Sequence, residues 1–234
     1  PVVLWDLRGH GRSDAPEDDA AYSIERVVSD LLAVAAETTP DAPFVAAGLS
    51  FGGLASLHFT RRHPERVAAL VLVDSGPGFK NPKAARAWAD QVERTARFLE
   101  TRGFGDFVEG RAGRTCIGAK PELPAARAAA EAIRAQSVAG VARFGRLVAG
   151  LAPPVIDDLP GIDVPALVVV GEEDEPFLRA AEVMAAKLPR ARHVVIPGAG
   201  HIVNIEEAEA FDAVLVGFLG ELDGPASDRA PAAT

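Results

Sequence analysis

The chain has 234 residues, 48% of them hydrophobic and 24% charged, with 22 Gly and 18 Pro, which fits one globular domain or a domain with an inserted subdomain. A net charge of −9 argues against nucleic acid as the main partner, and no apolar run approaches the roughly 18 residues of a membrane span. The single cysteine, Cys116, excludes an internal disulfide and fits a reducing compartment, so a cytoplasmic protein is expected.

In chain order, residues 2–5 (VVLW) predict a short buried strand, followed by a turn-rich segment, DLRGHGRSDAP. Ser23 is placed to cap a helix that runs to residue 38, because Ile24, Val27, Val28, Leu31, Leu32 and Ala35 recur at helical spacing. Residues 44–49 predict a second strand, 51–62 a helix stopped by Pro64, and 67–73 a third strand. Two further β-branched runs cover residues 166–170 and 193–196, with a helix over 178–188 between them and a last helix over 206–219. Strands separated by helices of this length predict an α/β architecture, a parallel sheet with helices on both faces.

The alternation breaks once. From residue 78 to about 151 the pattern is helical and rich in Ala and Arg, as an inserted helical cap would be. Residues 78–152 carry 13 Lys or Arg against 7 Asp or Glu, so this segment is basic while the rest of the chain is strongly acidic. That balance would steer an anionic substrate or complement the acidic remainder. The tail from residue 223, small, polar and Pro-containing, is expected to be disordered.

Chemistry concentrates in three places. In GLSFGG (residues 48–53), a serine sits between an apolar strand and a helix, with Gly48 and Gly52 at two before and two after. A tight strand-to-helix turn exposes the Ser50 hydroxyl at the cost of a strained backbone, and glycine relieves crowding on either side. The same turn aims the Phe51 backbone amide, at a helix N-terminus, toward the place where an oxyanion would form.

A serine nucleophile needs a base and a group to orient that base. Of the five histidines, His58 and His63 fall in or at the end of the helix after Ser50, His193 falls in a strand, and His10 sits in a turn. His201 follows a strand and the turn PGAG, in the kind of loop where sites form in open α/β sheets. For the orienting acid, Asp174 lies a few residues beyond the strand ALVVV, amid Glu172, Glu173 and Glu175; Asp74, at the end of VLVDS, is the alternative. The expected triad is Ser50, His201 and Asp174. No metal-ligand cluster, phosphate loop or dinucleotide fingerprint occurs, so neither metal nor cofactor is expected.

DLRGHGRSD, GLSFGG, RHPERVAALVLVDS, PALVVVGEEDEP and VVIPGAGHIVNIEEAEAF together resemble the α/β-hydrolase superfamily, in its capped, esterase- and enol-lactonase-like branch. The resemblance implies an α/β-hydrolase core formed by residues 1–77 and 153–222, a helical cap over 78–152, and the chain order nucleophile, acid, histidine. It also implies strands before the one at residues 2–5, with a His-Gly loop supplying a second oxyanion amide; the expectation is a core without those N-terminal strands. The implied activity is hydrolysis of a small carboxylic ester or lactone. C–C bond hydrolases and cofactor-free haloperoxidases share the motifs, and a non-catalytic, ligand-binding or inactive member is the reading from another class. Leu49, Trp88, Phe104 and Phe144 are candidates to line the substrate pocket, Cys116 is expected to be passive, and the oligomeric state is left open.

Overall fold

The computed structural model describes residues 1–223, so the tail expected to be disordered lies, beyond residue 223, outside the described residues. Four parallel strands form one sheet in the order β1 (Phe44–Leu49), β2 (Val67–Val73), β3 (Ala166–Gly171), β4 (Ala191–Ile196). Between β1 and β2 the chain crosses over through α2 (Phe51–Arg62), and α7 (Glu175–Lys187) does the same between β3 and β4. α1 (Ile24–Thr38) precedes β1, and its cap is as expected: the Ser23 hydroxyl accepts the Arg26 amide at 3.2 Å.

The central strands are apolar at nearly every position because both of their faces are covered. Alternation sorts them into two cores. Leu70, Leu72, Val168 and Val170 face Val28, Leu57, Phe59 and Met184 on one side. Ala69, Val71, Val73, Leu167 and Val169 face Ile196, Val203 and Phe218 on the other. That second layer is built by α8 (Val203–Glu206) and α9 (Ala208–Asp223), a break at Glu207 (φ −134°, ψ 56°) replacing the single last helix expected.

Between β2 and β3 lies the expected helical segment: α3 (Pro82–Glu109), broken at Gly103, then α4 (Arg114–Ile117), α5 (Pro124–Arg134), α6 (Val138–Phe144) and a π-turn over Gly145–Ala149. It has a small core of its own around Leu99, Phe104, Phe107, Val108 and Ile117. A separate cluster joins it to the body, where Phe144 and Val148 meet Tyr22, Val27, Ala55 and the rings of Trp5 and Phe51.

The strand expected at residues 2–5 does not form. Val2 is 88% exposed and Leu4 91% exposed, and among the described residues this segment pairs with no strand. β1 occupies one edge of the sheet without it. An extended apolar run becomes a strand only where another strand offers it hydrogen bonds, which local sequence cannot report. Only Trp5 turns inward, against the Phe144 cluster.

Candidate active site

Because the strands are parallel, their carboxyl ends lie along one edge of the sheet, and the segments expected to carry chemistry all leave from that edge. Ser50 directly follows β1 and starts α2 with φ 52° and ψ −117°, a conformation that L residues other than glycine rarely adopt. The turn is pinned from β2: the Ser50 amide donates to the Val73 carbonyl at 2.8 Å, and the Ser75 hydroxyl donates to the Ser50 carbonyl at 2.7 Å. At the first position of α2, the Phe51 amide has no intrahelical acceptor, which leaves it available to a ligand.

Asp174 caps α7 three residues past β3, and His201 sits in the loop between β4 and α8. They meet directly, His201 Nδ1 donating to Asp174 Oδ2 at 2.8 Å with the acid 5% exposed. That bond fixes the neutral ring with its free Nε2 lone pair directed away from the acid. The Phe177 ring stacks on the imidazole, centroids 4.8 Å apart. Among the described residues, Ser50 Oγ makes no direct hydrogen bond to His201, so the structure pairs acid with histidine directly and does not join the serine to them by a hydrogen bond.

Asp74, the alternative acid, also follows a strand but is spent elsewhere. It is fully buried, with φ 42°, and its carboxylate accepts the Gly171 amide at 2.8 Å and the Val203 amide at 3.4 Å. Burial pushes its carboxyl up to about 7, helped by the neighbouring Asp174 charge and opposed by the Gly171 amide and by His201.

The profile of the α/β hydrolase fold family matches residues 1–208. The chain belongs to the α/β-hydrolase fold family. It is 30% identical over 232 residues to a Bacillus subtilis (strain 168) protein named as a 2-succinyl-6-hydroxy-2,4-cyclohexadiene-1-carboxylate synthase, spanning 93% of this chain and 80% of that one. Among solved structures, MenH from S. aureus is similar with a TM-score of 0.82 and 25% identity over 94% of this chain and 83% of its own. A thermophilic esterase from Thermogutta terrifontis gives a TM-score of 0.80 and 27% identity, over 94% and 79%. The chain is thus an α/β-hydrolase enzyme by family, with the parallel sheet and flanking helices the resemblance implied.

In this α/β-hydrolase the glycine requirement is shifted by one residue from the expectation. A Cβ on Gly48 would lie 2.1 Å from the Gly52 carbonyl carbon, whereas a Cβ on Gly52 would meet open space. The second crowded position is Gly53, where a Cβ would fall 2.4 Å from the Ser75 hydroxyl that holds the elbow. Gly52 matters as backbone that Gly48 must clear. Gly53 and Ser75 are distant in sequence, so only a pairing of GLSFGG with VLVDS could have pointed to their contact.

The pocket candidates separate. Phe144 lies edge-on to Phe51 at 5.1 Å and to His10 at 4.8 Å, and is buried. Leu49 packs into the second core layer. Trp88 sits beside Phe79 and donates its indole N–H to the Ala149 carbonyl at 2.8 Å. Phe104 is not brought to the site, because its ring fills the core of the helical segment against Phe107. A cavity of about 410 Å³ in that segment, lined by Val108, Ile117, Arg114 and Arg127 among others, contains none of the triad candidates. Cys116 is an exposed free thiol in the same segment.

Two residues near His201 carry no motif signal. Glu206, 6% exposed, accepts the Gly200 amide at 2.8 Å and so fixes the residue before the histidine. Lys120 reaches across from the helical segment to the Glu206 carbonyl at 3.1 Å and to the Glu207 carboxylate. Among the described residues no group of acidic, Cys or His side chains could hold a metal, and no helix is long and apolar enough to cross a membrane.

Proposed function

We propose that the protein hydrolyses a small carboxylic ester or lactone through Ser50, His201 and Asp174. The observation that carries the reading is the 2.8 Å Asp174–His201 bond at the sheet edge where Ser50 stands in a strained elbow. His201 Nε2 takes the Ser50 proton as Oγ attacks the carbonyl, and Asp174 stabilises the imidazolium that results. The Phe51 amide donates to the developing oxyanion. Collapse expels the alcohol, or opens the lactone ring, with the proton returned by His201; a water activated by the same nitrogen then releases the acid from Ser50. The similarity to an esterase is consistent with this chemistry. The apolar surroundings of Phe51 and Phe144 suit a substrate whose acyl part is apolar.

Replacing Ser50 with Ala should reduce turnover of p-nitrophenyl esters by more than about 10³-fold. In the unaltered protein a fluorophosphonate should label Ser50, detected by mass spectrometry. Undiminished turnover in the variant would refute the reading.

A further inference from the structure

Asp74 is a buried carboxylate that the proposed triad leaves unused. It stands one residue beyond β2 in a left-handed conformation, its own amide donating to the Val169 carbonyl at 2.9 Å. Its two oxygens go to different loops. Oδ1 accepts the Gly171 amide, three residues before Asp174, and Oδ2 accepts the Val203 amide, two residues after His201. These loops press together: a Cβ on Gly171 would lie 2.3 Å from the Gly200 carbonyl oxygen. The glycines allow the close approach, and the Asp74 carboxylate is the polar group that ties both chains beneath it.

We infer that Asp74 is a positioning residue, a carboxylate that clamps the acid turn to the histidine loop and, through its charge, sets the basicity of His201. Its consequence for turnover rests on the Ser50–His201–Asp174 reading. The titratable groups that face it are Asp174, from the turn after β3, and His201, from the loop after β4. Ionised, Asp74 holds the imidazolium form of His201 and accepts from both amides. Protonated, it withdraws that charge and turns one oxygen into a donor, which weakens the clamp at the Val203 amide. Burial pushes the carboxyl up to about 7, so both conditions lie close to neutral pH.

The test is the titration of the His201 ring, followed by NMR in uniformly labelled protein. In the unaltered protein the His201 curve departs from a one-proton shape, because Asp74 titrates beside it. In Asp74→Asn it becomes a single-proton curve with its midpoint lowered by roughly half a unit. The acid limb of kcat/KM for a p-nitrophenyl ester moves the same way, with KM little changed. A one-proton curve in the unaltered protein, or an unmoved midpoint in the variant, overturns the inference; should the variant not fold, the curve of the unaltered protein decides alone. Failure of the triad reading looks different: Ser50→Ala would retain turnover whatever the His201 curve does.

Discussion

Ser50 occupies a backbone region that costs a non-glycine residue on the order of 1–3 kcal/mol, and the contacts from Val73 and Ser75 hold it there. Ser50→Ala and Ser50→Gly both remove the hydroxyl, but only the glycine relaxes the backbone. The glycine variant is expected to be the more stable of the two by about 1 kcal/mol, after the extra entropy of an unfolded glycine is subtracted. Urea midpoints of the two variants measure this, and an alanine variant of equal or greater stability would show the elbow unstrained. Ser50, Asp174 and His201 were legible one at a time, each by its place after an apolar run. Phe177 and Glu206 were not, since they act through a ring stacking on His201 and a carboxylate on the Gly200 amide, contacts that exist only after folding.

Among the elements, the decisive contact is the one between the helical segment and the elbow. Phe144, from the last turn of α6, packs against Phe51 next to Ser50 and against His10 in the loop before α1. Truncation to Ala would open a cavity at this junction and cost about 3 kcal/mol. It would also free the Phe51 side chain, whose backbone amide is the proposed oxyanion donor. Phe144→Ala should therefore lower both the urea midpoint and kcat, and Phe144→Leu should recover most of the stability. If Phe144→Ala retains full kcat despite the lost stability, the segment does not support the elbow.

The same elements show where periodicity could and could not be read. α1, β1, α2 and β2 match their expected bounds because amphipathic spacing and local caps specify them. Residues 2–5 look no different from β3 in composition, but β3 has β2 and β4 beside it, and among the described residues no strand lies beside residues 2–5. Strand identity is a property of the pair.

Across the whole molecule, charge and protons link the two regions. Three cations of the basic segment reach acids of the body: Lys80 to Asp157 at 2.7 Å, Arg143 to Asp19 at 3.0 Å, and Lys120 to Glu207. The charge asymmetry is thus used, at least in part, for complementarity, though each exposed pair is worth less than about 1 kcal/mol. A buried histidine makes a firmer tie. His58 of α2 is fully buried, and its Nε2–H donates to the Pro153 carbonyl at 3.0 Å, just past the helical segment. Burial lowers its pKa to about 4, with Arg62 and Arg61 pushing the same way and the Pro153 bond and Glu25 opposing. In the unfolded chain it titrates near 6.5. Between those values the unfolded state holds more protons, so the contribution of His58 to stability falls as pH drops from about 6.5 toward 4.

Asp74 works in the opposite sense. Its folded pKa near 7 lies above the ordinary carboxyl value, so the folded state holds the extra proton and stability falls as pH rises from about 4 to 7. The two slopes offset each other across the same window. His58→Gln keeps a side chain able to donate to Pro153 but removes one slope. The stability advantage of the unaltered protein over this variant should shrink by on the order of 1 kcal/mol between pH 7 and pH 5, read from urea midpoints at each pH. An advantage that stays constant across that range would mean that His58 takes up its proton equally in both states, and the burial that joins α2 to the residues after the helical segment would not be felt.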